Sequence, residues 1–246
     1  MTAESWAAGP YLAVDTETTG VNVERDRIVT AAIVDIRPGQ TPRTRTWLIN
    51  PGIDIPAEAT AVHGITTEQA RADGVHPSGA LDEISLEIET ALASGMPIVA
   101  MNASFDLTLL DRELLRYKLG GLGERLGGYD AIRPVLDPFV LDREVDKYRR
   151  GKRTLSALCD HYKVSIGNAH DASSDALAAC RVLFRIAKQY SRSIGTADLH
   201  ELHDKQVQWH AARQADFAAY RERIGEPLTD FSTEWPIRRL VEERAA

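Results

Sequence analysis

Tyr11-Leu12-Ala13-Val14-Asp15-Thr16-Glu17-Thr18-Thr19-Gly20 is an apolar run that ends in two acids and a turn. Tyr11–Asp15 reads as a short buried strand, and Thr19-Gly20 turns the chain out of it. In extended backbone, residues i and i+2 point to one face, so Asp15 and Glu17 can project together at the strand end. Thr18, Thr19 and Gly20 then bend backbone amides toward the same place. The bland alternative is an exposed acidic turn, because Asp-x-Glu arises by chance in many chains.

Two further acidic motifs lie far along the chain. Asn102-Ala103-Ser104-Phe105-Asp106 follows the apolar run Pro97–Met101, where a strand passes into a helix. Asp106 falls in the first helical turn, near the positive end of the dipole. Taken alone, it complements that dipole and Phe105 fills core. The third motif is His170-Asp171-Ala172-Ser173-Ser174-Asp175. Helical positions five apart are rotated by roughly 140°, so His170 and Asp175 converge only if His170 lies in a loop before a helix capped by Asp171. There His170 is mobile enough to take a proton from water, with Asp175 fixed as a ligand. The alternative is a surface histidine beside a capping aspartate.

The three motifs supply four carboxylates and a histidine. If folding gathers them, like charges ~4 Å apart repel by roughly 4 kcal/mol per pair at an effective dielectric near 20. Divalent cations, or protons on some of the acids, make such a cluster tolerable. Acids without cysteine suit Mg²⁺ or Mn²⁺. Two such ions would clamp a phosphodiester for attack by water, which points to a two-metal nuclease.

At this point the chain resembles the DEDDh, or DnaQ-like, exonuclease family, which includes proofreading subunits of replicative polymerases. Asp15–Gly20, Asn102-x-x-Phe105-Asp106 and His170-x-Ala172-x-x-Asp175 match its three motifs in order. A further match is Leu48-Ile49-Asn50-Pro51 leading to Val62-His63-Gly64-Ile65-Thr66. The resemblance covers about residues 8–190. It implies a ribonuclease H-like fold and 3′→5′ hydrolysis to nucleoside 5′-monophosphates with two Mg²⁺ or Mn²⁺ ions. By that resemblance Asp15, Glu17, Asp106 and Asp175 are the metal-binding carboxylates and His170 the general base. Thr18, Gly20, His63 and Phe105 fall where the family contacts the terminal nucleotide, although His63 can instead hold its own loop together.

The wider pattern suits an α/β chain with a mixed five-stranded sheet flanked by helices. Strands are expected at Tyr11–Asp15, Ile28–Ile36, Thr44–Ile49, Pro97–Met101 and Pro134–Asp137. Helices are expected from Ser78 to Leu92, from Ser104 to about Leu119, from Thr154 to Tyr162 and from Asp171 to Tyr190, with residues 50–64 irregular. Residues 8–190 read as the exonuclease domain and 191–246 as a helical C-terminal arm, helical over Ala197–Ile224 and ending in a loosely attached tail. His200, His203 and His210 read as an exposed polar helix face.

A net charge of −7 argues against a protein that coats duplex nucleic acid by neutralising phosphates. Lys147, Arg149, Arg150, Lys152 and Arg153 are a basic cluster, either a solvated face or a phosphate guide. Cys159 and Cys180 read as buried thiols of a reducing compartment, and no apolar run approaches a membrane span, so a cytoplasmic protein is expected. The expected substrate is single-stranded or frayed DNA 3′ ends, with RNA as the nearest rival. A DNA polymerase or another replication or repair protein is the expected partner. The rival from another class is an idle exonuclease-like module that docks on a polymerase.

Overall fold

The structure is a computed structural model that describes residues 6–167, 170–229 and 231–240. Five strands form one sheet in the order β3-β2-β1-β4-β5. They are β1 (Tyr11–Thr18), β2 (Ile28–Ile36), β3 (Arg43–Leu48), β4 (Ile98–Val99) and β5 (Val135–Leu136). β2 lies antiparallel to both β1 and β3, whereas β4 runs parallel to β1 and β5 parallel to β4. The antiparallel half follows from short connections, and the parallel half from helical crossovers.

β1 sits at the centre and is buried on both faces. Leu12 and Val14 pack with Leu81, Ile84, Leu107 and Leu110, which belong to α3 (Pro77–Ala93) and α4 (Ala103–Arg116). Tyr11 and Ala13 pack with Leu158, Ala179 and Leu183, from α7 (Leu155–Tyr162) and α8 (Ala172–Gln189). The period-two alternation of one strand therefore serves two helical layers.

Several elements differ from the sequence expectation. Residues 50–64 are not wholly irregular, because Ala57–His63 forms α1 and a further short helix, α2, spans Thr67–Asp73. α1 buries none of its residues, so it presents no apolar stripe to read. α3 is capped by His76, with Pro77 at the first helical position, not by Ser78. The helix expected from Ser104 begins at Ala103 and ends at Arg116. Two helices sit between there and α7: the single turn α5 (Leu122–Arg125) and α6 (Pro138–Val145). α6 carries a start signal that was legible, Asp137 as cap followed by a proline.

The C-terminal segment is packed more closely than the expected loose tail. α9 (Leu199–Arg223) covers the open edge of the sheet at β5. His203 Nδ1 accepts the Val135 amide at 3.1 Å. The Gln206 side chain accepts the Asp137 amide at 2.8 Å and donates to the Val135 carbonyl at 3.0 Å. His203 is thus no part of an exposed polar face: it is 6% exposed, and burial pushes its imidazole down to about 4. Farther on, Trp235 and Ile237 are buried in the same cluster as α3 and α4. No helix among the described residues is long and apolar enough to cross a membrane.

Gln206 satisfies two buried backbone groups at β5 and the residue after it, the Val135 carbonyl and the Asp137 amide. Gln206→Leu should therefore cost about 2–4 kcal/mol, read as a lower urea midpoint. An unchanged midpoint would mean that the Gln206 bonds contribute nothing to closing the sheet edge.

Candidate active site

The C-terminal end of β1 is where the two faces of the strand meet their acids. The strand continues through Thr18, with a register shift between Glu17 and Thr18 where it leaves its partner β2. Odd positions face α8, so Asp15 and Glu17 project toward Asp175 in the first turn of that helix. The even position Thr16 faces α4 instead. Its amide and its hydroxyl both donate to Asp106 Oδ1, at 3.1 and 2.7 Å. Asp106 is thereby pinned against the strand end, 5% exposed.

The start of α4 is held by an acid that the sequence analysis did not single out. Asp137 accepts the amides of Asn102 and Ala103, both at 3.0 Å, while capping α6 through the Phe139 amide at 2.8 Å. Asn102 has left-handed backbone, φ 63°, and makes no capping bond of its own. A carboxylate at the end of the expected strand Pro134–Asp137 was visible, but only the fold shows what it holds.

His170 and Asp175 converge as their spacing requires. Asp171 caps α8, accepting the Ser174 amide at 3.0 Å and the hydroxyls of Ser173 and Ser174 at 2.6 and 2.8 Å. His170 stands outside the helix in left-handed backbone, φ 65°, and its amide donates to Asp175 Oδ2 at 3.1 Å. That fold-back brings one ligating atom each of Glu17, His170 and Asp175 within 4.8 Å of one another. Asp175 Oδ1 is buried with no hydrogen-bond partner.

The electrostatics express this crowding. Burial, then Asp106, Asp175 and Glu17, hold Asp15 well above the usual carboxylate range. Burial and the neighbouring Asp175 and Asp106 raise Glu17 to about 7. Asp106 is also pushed up to about 7, chiefly by burial, with the Thr16 bonds opposing. Burial raises Asp175 against the His170 amide. An orphaned carboxylate oxygen and several acids that resist ionisation form a set of hard oxygen donors, which fits divalent cations of the Mg²⁺ class.

Of the other sequence candidates, Thr18 donates its hydroxyl to the Gly20 carbonyl at 2.6 Å. A Cβ on Gly20 would lie 2.6 Å from the Asp26 carboxylate, so a larger residue here must displace that side chain. Asp26 itself accepts from Thr19 and Asn22 and was missed, since a lone acid in a polar loop gives no signal. His63 belongs to both its loop and the site. Its Nδ1 accepts the Ile65 amide at 3.1 Å, while burial and the nearby His170 lower its basicity against a contribution from the Thr18 backbone. Phe105 is partly buried against the core beside Asp106. In the basic cluster, Arg149 and Arg153 both pair with buried Asp142, leaving Lys147, Arg150 and Lys152 exposed.

Comparison with known proteins places this geometry in context. A family model described as exonuclease, of the RNase T type, matches residues 12–183. A DNA polymerase III subunit epsilon-like protein of Rhodobacter capsulatus is 33% identical over 181 residues, 72% of this chain and 23% of that protein. The PolC-type DNA polymerase III of Lacticaseibacillus paracasei is 28% identical over 200 residues, 81% of this chain and 13% of that protein. The matched region thus spans less than a quarter of either curated relative. Among solved structures, E. coli Exonuclease I in complex with a dT13 oligonucleotide shares the fold with a TM-score of 0.61. The match is at 19% identity and covers 74% of this chain and 42% of that one.

The raised acids dictate a sign. A folded carboxyl near 7 holds its proton more tightly than an unfolded one near ~4, so the metal-free protein gains stability as pH falls from about 7 toward ~4. Above that window the repulsion is fully present, and a cation that binds there must displace protons. Adding Mg²⁺ or Mn²⁺ at pH 7 should raise Tm and release protons, the latter seen as buffer-dependent heats in calorimetry. No Tm shift in millimolar Mn²⁺ would remove the cluster as a cation site.

Proposed function

We propose, from the premise that this chain belongs to the exonuclease family matched across residues 12–183, that it is a metal-dependent 3′→5′ exonuclease. Its substrates are single-stranded or frayed DNA ends, and its products are nucleoside 5′-monophosphates. The observation that carries the reading is the convergence of Asp15, Glu17, Asp106, Asp175 and His170 at one end of β1.

The four carboxylates would hold two Mg²⁺ or Mn²⁺ ions. When bound, the pair supplies electrostatic stabilisation of the phosphodiester as charge builds in the transition state. The protein residues do the rest. His170, exposed and outside the helix, accepts the proton of the attacking water and passes it to solvent. The His170 amide holds Asp175 in place, and the Thr16 bonds hold Asp106. The Thr18–Gly20 turn approaches the terminal sugar, Phe105 offers an aromatic surface to the terminal base, and His63 closes the same end from its loop.

A terminal nucleotide suits this enclosure better than the interior of a duplex. Unstacking a paired end costs a few kcal/mol, so single strands and mismatched ends should be degraded faster. The relatives' names, both DNA polymerase III components, support a proofreading or repair role beside a polymerase. Two free, buried cysteines agree with a reducing cytoplasm.

A 5′-labelled single strand incubated with Mg²⁺ or Mn²⁺ should yield a descending ladder, with duplex DNA and RNA as comparison arms. EDTA should stop it, and Asp15→Asn or Asp175→Asn should lose at least ~10²-fold in rate with the fold retained. Cutting of a covalently closed single-stranded circle, absent from the Asp15→Asn control, would overturn the exonuclease reading.

Proton acceptance by His170 has its own signature. His170→Ala should lose ~10²–10⁴-fold in rate while the cation-induced Tm rise persists. Acidification should slow wild type and variant alike, because cations must displace the protons of Glu17 and Asp106, so the two are compared at one pH. Wild-type turnover in His170→Ala would assign the proton to another acceptor.

A further inference from the structure

α9 runs in the same direction as β5, with His203 meeting Val135 and Gln206 meeting Asp137. It therefore leaves the sheet at the C-terminal edge of the parallel strands, the edge where Asp15, Glu17 and Asp106 lie. Its buried residues, Leu202, His203 and Gln206, all belong to the first half. The second half buries none of its residues, and it and the capping Ile224 carry large apolar groups along one face. Phe217, Tyr220 and Ile224 are 46%, 47% and 44% exposed at helical spacing.

Each exposed aromatic is attended by an arginine. The Arg221 guanidinium lies 5.8 Å from the Phe217 ring centre, and that of Arg223 lies 5.5 Å from Tyr220. The same pairing occurs on α6, where Arg143 stacks 4.4 Å from Phe139. Phe139 follows Asp137 by two residues, and Asp137 ties α6 to the start of the helix that carries Phe105 and Asp106. Arg213 of α9 joins the two groups. Burial, then Arg213 and Arg153, push Arg143 down to about 10, and its Nε is buried without a partner. Arg153 is matched by Asp142, while Asp216 and Glu144 are the acids beside Arg213.

From this geometry we propose that Phe139, Arg143, Arg213, Phe217 and Tyr220 form a track that binds single-stranded nucleic acid on the 5′ side of the terminal nucleotide. The proposal rests on the exonuclease reading above and deepens it. Exposed aromatic faces stack bases without regard to sequence, and interleaved guanidinium groups pair with phosphates. From Arg213 to Arg223 the helix runs ~15 Å, room for about two extended nucleotides. On a chain of net charge −7, arginines that crowd one another at the edge of the active site match a polyanion rather than an acidic protein surface.

The test measures affinity for a 5′-fluorescein oligodeoxythymidine of about fifteen residues, by anisotropy in Mg²⁺ and in an Asp15→Asn background. The variants are Arg213→Gln, Phe217→Ala and Tyr220→Ala, all on exposed helix surface. Each aromatic truncation should weaken binding roughly tenfold. Arg213→Gln should flatten the slope of log affinity against log salt by about 0.7. An oligonucleotide of about three residues, too short to reach α9, should bind all forms alike. Without the background substitution, all three should hydrolyse a nucleoside 5′-phosphate p-nitrophenyl ester at the wild-type rate, because that substrate meets only the acids. Unchanged affinity for the long strand in all three variants would overturn the track and leave the stripe to a protein partner. Failure of the wild type to hydrolyse the ester would count against the exonuclease reading, while the binding measurement still decides the track.

Discussion

Repulsion among the carboxylates at the end of β1 is the constraint around which this molecule is arranged. Each of Asp15, Glu17, Asp106 and Asp175 is held above its ordinary range, with burial the largest cause and, for Asp15 and Glu17, the neighbouring acids adding to it. No gain in fold stability comes from pressing such groups together without a counter-charge, so the arrangement makes sense as a cradle for cations. The local scaffold is correspondingly firm. Thr16 pins Asp106, the His170 amide pins Asp175, and the central strand, packed on both faces, fixes Asp15 and Glu17.

A second acid extends this scaffold outward. Asp137 is raised to about 6 by burial yet accepts three backbone amides, from Asn102, Ala103 and Phe139. Those bonds lock the starts of α4 and α6 together, and Gln206 secures the Asp137 amide from α9. The C-terminal helix is therefore registered against the active end of the sheet at Val135 and Asp137. Displacement of α9 would be felt at Asp106 through Asp137 and the first turn of α4.

Charge is distributed with the same logic. The chain is acidic overall, yet arginines gather where α6 and α9 rise past the sheet edge. Part of the basic character visible in sequence is spent internally, since Arg149 and Arg153 neutralise buried Asp142. Lys147, Arg150 and Lys152 stay exposed, and the proximity of Arg143 on α6 to Arg213 on α9 is produced only by folding.

The local chemistry was legible from the chain. The apolar run into Asp15-Thr16-Glu17 reads as a buried strand whose end can present two acids on one face, because side chains alternate in extended backbone. The five-residue gap between His170 and Asp175 required a loop before a capped helix, and that is how the backbone runs. β2 was readable to the residue, and the caps Thr154 and Asp171 announced α7 and α8. What the tertiary structure alone decided involves groups whose partners are distant in sequence. Asp137 reads only as the end of a short strand until Asn102 and Ala103 come to it across the parallel strands. His203 reads as a polar surface residue until the β5 amide claims its ring nitrogen. Trp235 and Ile237 read as a loose tail until the core beneath α3 and α4 buries them. Periodicity and spacing report on a residue's neighbours along the chain, whereas burial and pairing across 35 or 68 positions depend on how the helices close over the sheet.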